Sequence, residues 1–568
     1  MTDRLEGCRI GVFLVMALLV VQYGTALAVA SSSSQSPVLE LLKQQAQESP
    51  TDPMAHFRLG VALYHAGELE AAGKEFKAAL GLNPNLAEAH NDLGTILRDG
   101  GKLQDAIGEF RLALKARPEF LGAQYNLALA LIAHNQSASA EKEAEQAITR
   151  NPGWAPGYYA LGLALEKLGS VDAADRAFWQ ALTLNSRMSL AWYHLGLLAG
   201  RRGKTLAAIQ DFQNALAIDP QLGDTYYALG TQLLLTADVM GARSAFEHAL
   251  ALRPHDADAQ YQLGVLWEKQ ADPERAASEY RRALAIDPKD ASARVALARV
   301  EGREGRIDEA FQELHQALKS DPGSATAHEA NGELLRRKGN IQQAVKELQW
   351  ANRVNPGMPS AHYELGLALE QEGDLAQAAK EFRRAIALDP KDKRAHLSLA
   401  SLLRRQGSMQ SAQAESSLAE KLNQEEINRD LARGANRIGV EFAGKMQWGA
   451  AIEQFQKALH LEPDLSEAQF NLAGALLEQG KLAEASAQLR TLVQRFPEWS
   501  QAHFQLGRVL DLEGHAIQAC GEYRQALRVT PNFIEAEQAY KSVQARIRSP
   551  SCSDERQPPP NETGERFP

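Results

Sequence analysis

Three cysteines in 568 residues are too few for a disulfide framework, so the chain does not read as a small cross-linked secreted domain. Basic residues are also short: 61 Lys and Arg stand against 71 Asp and Glu, a formal charge of -10. A general nucleic-acid binder needs a basic footprint to displace counterions, so that class is excluded. Catalytic signatures are missing as well. There is no phosphate loop, H-E-x-x-H pair, nucleophile elbow or C-x-x-C pair, and the carboxylates are scattered along helix surfaces. We therefore expect no enzyme, no cofactor and no metal. Long apolar runs are absent too, except one from Ile10 to Val21.

What the sequence does have is a period. Prolines at 50, 84, 118, 152, 220, 254, 288, 322, 356 and 390 share a 34-residue register, with Ser186 at the one gap, and after a five-residue insertion the register resumes at Pro463, Pro497 and Pro531. A fixed period of this length predicts stacked supersecondary units. Fourteen units start at residues 53, 87, 121, 155, 189, 223, 257, 291, 325, 359, 393, 432, 466 and 500. Unit position 8 is always Gly or Ala, from Gly60 and Gly94 to Gly507, and position 20 is always alanine, from Ala72 to Ala519. Two helices approach closely only where neither is bulky, so these positions mark a helix crossing. Position 24 supplies a large knob, as in Phe76, Phe178 and Tyr523. Glycine at position 15, with Asn135 in the third unit, fits a left-handed helix end, and proline at position 32 cannot continue a helix.

Small at 8, alanine at 20, aromatic at 24, alanine at 27 and proline at 32 resemble the tetratricopeptide repeat over most of the chain. The resemblance implies an all-α fold, an α-solenoid forming a right-handed superhelix of tandem 34-residue helix-turn-helix repeats. It also implies a non-enzymatic scaffold that binds a protein or extended peptide on its concave face.

Outside the repeats, Arg4 and Arg9 precede the apolar run, and Ala26-Leu27-Ala28 and Ala28-Val29-Ala30 follow it, the layout of a cleaved export signal. Residues 1–30 are expected to be removed, leaving Ser31 first and the protein periplasmic or extracellular. The alternative is an anchor in the inner membrane through residues 10–30, the only case in which a membrane is a partner. Residues 31–52 hold a Ser-rich linker and a capping helix near Val38 to Ala46, 53–424 hold units 1–11, and 425–431 an insertion. Units 12–14 occupy 432–533, Ile534 to Ile547 cap the end within 534–548, and 549–568 form a polar tail. The unit at 393 has Ser416 for the aromatic and Gln424 for the proline, so its second helix is expected to run long through Glu425, Glu426 and Asp430.

Six histidines share position 4 (His56, His90, His328, His362, His396 and His503). Equivalent positions lie about 8–10 Å apart or more, too far for a metal with ligands near 2 Å. A packing role is expected.

In the family the concave face is lined by positions 2, 5, 6, 9, 12 and 13. Position 5 gives Tyr125, Tyr159, Tyr193, Tyr227, Tyr261 and Tyr363, and position 9 gives Leu129, Leu163, Leu197 and Val265. Tyrosine is a rigid amphipathic contact common at binding hot spots. From the unit at 291 onward the same face holds Arg299, Arg303, Arg336, Arg337, Arg394, Arg404, Arg405, Arg433 and Arg437. Guanidinium forks suit carboxylates and phosphates, so an acidic peptide segment is expected there, unless Glu301, Glu304 and Glu333 neutralise the cluster. Two alternatives share these features: a factor that handles an anionic polysaccharide, and a targeting arm for a separate enzyme such as a glycosyltransferase. A carboxylate clamp for chaperone tails is matched only by Arg433 and Arg437, and an asparagine ladder at position 6 only by Asn126 and Asn471.

Overall fold

The computed structural model describes residues 37–236, 238–530 and 533–547. Among them there is no strand, and the chain is an all-α solenoid of tandem helix pairs. The expected signal segment, the serine run and the polar tail lie outside the described residues. By contact the chain divides into two compact units: residues to Lys204 with Gln210–Pro220, and Thr205–Ile209 with Gln221 onward.

Each regular unit is a first helix of about 13 residues and a second of 14, such as Pro53–His65 with Leu69–Leu82. The turn between them takes a positive φ at position 15. Ten of these residues are glycine, and Asn135, Ala271 and Met446 adopt the same conformation at φ 57–59° with a Cβ present. Asn135 is thus a helix-end residue.

The crossing of each pair follows a size rule. The position-20 alanines are fully buried, for example Ala72, Ala174 and Ala378 at 0% exposure. A Cβ added to Gly162 would sit 2.5 Å from the Phe178 ring, and one on Gly60 would sit 2.7 Å from Phe76. Position-8 glycine therefore seats a position-24 ring against bare backbone in nine units, and Leu348 in the unit at 325. Where position 8 is alanine (Ala128, Ala298, Ala400 and Ala473), position 24 shrinks to Ala144, Leu314, Ser416 and Leu489. Interior packing has no slack for both side chains at once.

Units join through a second set of positions. Leu80 and Phe76, on the outgoing second helix, share a cluster with Ala89 and Leu93 of the next unit's first helix. Outgoing positions 21, 24 and 28 thus meet incoming positions 3, 7 and 10. The helix Pro37–Glu48 supplies Leu39, Leu42 and Ala46 at outgoing positions and covers the first unit. The helix Ile534–Ile547 supplies buried Ala536, Tyr540 and Val543 at incoming positions and covers the last.

Position 4 ties each unit to the one before. In all six histidine units the Nδ1 lies 2.5–2.7 Å from a position-23 glutamate: Glu75, Glu109, Glu347, Glu381, Glu415 and Glu522. The Nε2 lies 3.0–3.3 Å from the carbonyl of the proline that closes the preceding segment. Both nitrogens of each ring thus face an oxygen, one a carboxylate and one a backbone carbonyl. Arg294 occupies the same place in the unit at 291 and donates to Glu313 and to the Pro288 carbonyl. The site presents two acceptors to whichever side chain stands at position 4. The His56 pKa is raised, first by its bond to Glu75.

The register break is a single 36-residue helix, Met409–Gly444. The expected extension past Asp430 does not stop there: it fuses the second helix of the unit at 393 with the first helix of the unit at 432. The separate pairs anticipated for those two units share this one helix, because Gln424 replaces the breaking proline and no glycine turn intervenes.

Candidate functional site

The inner-face tyrosines stand half in the core. Tyr193, Tyr227, Tyr261 and Tyr363 each rest on the position-24 ring of their own unit, with centroids 5.5–6.0 Å apart. Their outer parts remain accessible beside half-buried Leu163, Leu197 and Val265. Tyr125 meets Trp154 edge-on, next to Leu129. Burial raises the Tyr227 and Tyr261 hydroxyl pKa values, so these groups stay protonated donors.

Two tyrosines are less available than their position implies. Tyr159 is only 3% exposed, because His194 from the next unit stacks on Phe178 and presses its edge to the Tyr159 ring at 5.9 Å. The Tyr363 ring is covered by the Arg394 guanidinium at 4.9 Å.

Most of the arginines are likewise used within the chain. Arg299 pairs with Glu329, Arg303 with Glu268 and Arg405 with Glu370. Arg336 reaches Glu364 at 2.9 Å, Arg337 lies 3.9 Å from Glu333, and Arg394 binds Asp392 at 2.9 Å. Neutralisation comes mainly from carboxylates other than those anticipated. Glu301 instead pairs with Arg281 and Glu304 with Arg306, and only Glu333 serves the cluster.

These pairs follow a register that links neighbouring units. Position 12 bonds to position 6 or 13 of the next unit: Arg98 to Asn126, Glu166 to His194 and Arg201, and Arg336 to Glu364. Glu268 with Arg303, Glu370 with Arg405 and Asp511 with Arg546 continue it. Asn126 and Asn471 donate to Asn91 and Asn436 of the preceding units. The inner face therefore locks unit to unit with its own polar groups. Opposite charges spaced 28 and 35 residues apart were the signal for it.

The ladder fails at the fused helix. Arg404 holds position 12, but position 6 of the following unit is Arg437, so Arg404 turns back to the Ser416 hydroxyl at 2.6 Å. Arg433 and Arg437 are exposed and have no side-chain partner among the described residues. The inner-face basic site contracts to Arg404, Arg433 and Arg437. One further inner-face group lies at the other end of the array. Burial pushes the Asp92 carboxyl up to about 7, opposed by the Asn91 amide that donates to it and assisted by Glu88.

Among the described residues no three His, Cys, Asp or Glu side chains could hold a metal, and no helix is long and apolar enough to cross a membrane.

A family model described as tetratricopeptide repeat matches residues 38–87, 91–155, 159–222, 227–291, 295–347, 329–393 and 363–424, and a second of the same description matches 446–506. Among solved structures, the chain is similar to the APC/C hetero-tetramer Cut9-Hcn1 at 15% identity, covering 87% of this chain and 98% of that one with a TM-score of 0.38. Yeast Tom70 aligns at 15% identity over 76% and 96%, TM-score 0.34, and YrrB, a TPR protein with an unusual peptide-binding site, at 25% identity over 33% and 96%, TM-score 0.29. No curated protein matches the chain.

Proposed function

The chain belongs to the tetratricopeptide repeat family, and from that premise we propose that it is a non-enzymatic scaffold holding a protein or extended peptide against its inner face. The observation that carries this reading is the contrast within that face. Most arginines there are spent on partners within the chain, whereas Arg433 and Arg437 stand exposed without a partner among the described residues. A ligand carboxylate supplies the missing counter-charge, and the tyrosine flanks at Tyr193, Tyr227 and Tyr261 offer apolar contact with a polar tip.

Crosslinking and pull-down with the intact chain, Arg433→Glu with Arg437→Glu, and Tyr227→Ala with Tyr261→Ala test it. The arginine pair should lose acidic ligands and flatten the salt dependence of binding, since those contacts are the screened ones. The tyrosine pair should weaken binding at unchanged salt slope. A scaffold that recovers the same partners with all three proteins would overturn the reading.

We also propose export through residues 1–30, on the order of basic, apolar and A-x-A segments. N-terminal sequencing of the native protein should begin at or near Ser31, and intact Met1 in a cytosolic fraction would contradict it.

A further inference from the structure

The fused helix Met409–Gly444 carries an apolar stripe left open by its neighbours. Ile427, Leu431 and Ile438 are 43%, 55% and 41% exposed. With Gly434 they follow at intervals of four, three and four residues, the spacing that keeps side chains on one seam of a helix. Gly434 and Ile438 are the incoming positions 3 and 7 of their unit. In a regular unit the preceding second helix covers them, but here that helix is the same continuous rod and cannot fold back.

The seam has one property that selects its occupant: its two halves complement each other. About the point between Ala432 and Arg433, Ile427 stands opposite Ile438, large Leu431 opposite small Gly434, and acidic Glu420 opposite basic Lys445. We propose that two copies of this chain pair antiparallel along this helix, across a two-fold axis at that point.

Such pairing sets isoleucine on isoleucine. It seats Leu431 over Gly434 of the partner helix, where a Cβ would meet no atom within 4 Å. It brings Glu420 to Lys445. Both side chains are exposed and have no ion pair or side-chain hydrogen bond among the described residues. One two-fold axis gives each of them one opposite charge and repeats that pair at the other end of the seam, the self-complementarity an isologous contact requires. A parallel pair would instead stack Glu420 on Glu420 and Lys445 on Lys445, where like charges repel.

Sedimentation of the full chain over a concentration series should show reversible dimers. Leu431→Lys, at an exposed position that leaves the fold intact, should raise the dimer dissociation constant by roughly tenfold or more. Thiol crosslinking fixes the direction, against the unsubstituted chain as background. A mixture of Ile427→Cys and Ile438→Cys chains should crosslink, and the Ile427→Cys chain alone should not. A chain monomeric at every concentration, dimers indifferent to Leu431→Lys, self-crosslinking by Ile427→Cys alone, or a different protein bound stoichiometrically to the seam of a monomer would each overturn the proposal.

Discussion

The unit at 359 and the unit at 393 begin alike and end differently. Both have a histidine clamped to a position-23 glutamate, His362 to Glu381 and His396 to Glu415. In the first, outgoing positions 21, 24 and 28 are Ala379, Phe382 and Ile386, and the chain turns at Pro390 into another unit. In the second they are Gln413, Ser416 and Glu420, position 32 is Gln424, and the helix runs on to Gly444. Continuing the array thus takes more than helix propensity. It takes an apolar outgoing face to be covered and a residue that ends the helix so that the cover can arrive. At the fused helix both are missing together, and the polar outgoing face serves there as a cap, as end units of a stacked array require.

Restoring the breaker should have the largest effect. Gln424→Pro removes a backbone bond from an exposed helix interior and clashes with the preceding turn, a cost of about 3 kcal/mol or more. Hydrogen exchange should accelerate around residues 420–431 while the regular units hold. An unchanged exchange pattern would mean that the helix is already broken in solution.

Next in size is the crossing rule. Gly162→Ala drives a Cβ into the Phe178 ring and should cost about 1–3 kcal/mol in chemical denaturation. Ala128 should tolerate reversion to glycine with a smaller loss, because Ala144 across from it leaves no ring to accommodate.

The histidine clamps predict a smaller effect with a definite sign. The folded His56 pKa lies above its ordinary value near 6.5, because of Glu75 and the Pro50 carbonyl. Its contribution is therefore complete below that ordinary value and lost as pH rises through the higher folded value. His56→Arg, which copies Arg294, should flatten the loss of exchange protection in the unit at 53 between acidic and alkaline pH. A variant that titrates like the original would show that the clamp does not depend on the proton.

The smallest expected change is a gain. Gly434→Ala, in the fused helix with open space at its Cβ, should stabilise by about 0.5–1 kcal/mol from backbone entropy alone. The same substitution at Gly162 is destabilising, so equal responses at the two glycines would break the comparison between crossing point and joint.

Much of this was legible in the sequence. The 34-residue register, the glycine turns and the missing proline at Gln424 are local signals, and each acts through backbone chemistry that needs no neighbour. The site was harder to read because its residues answer to other units. Tyr159 occupies the expected groove position yet is closed over by His194, 35 residues on. Arg336 belongs to the expected basic patch yet is held by Glu364 from the adjacent first helix. Which inner-face charges remain for a ligand depends on the register between units, and composition alone does not contain that register. Arg433 and Arg437 were singled out with the other seven arginines, and only the failure of the ladder beside Arg404 separates them.

The direct test of the joint is a distance. Spin labels at the exposed residues Ser411 and Val440, 29 residues apart, in a chain diluted with excess unlabelled chain so that only distances within one copy are read, should give about 43 Å by pulsed electron resonance if the chain is one helix with a rise of 1.5 Å per residue. A turn between them, as in every regular unit, would fold the two sites back to about half that separation or less, and such a reading would contradict the continuous helix and the division of the array built on it.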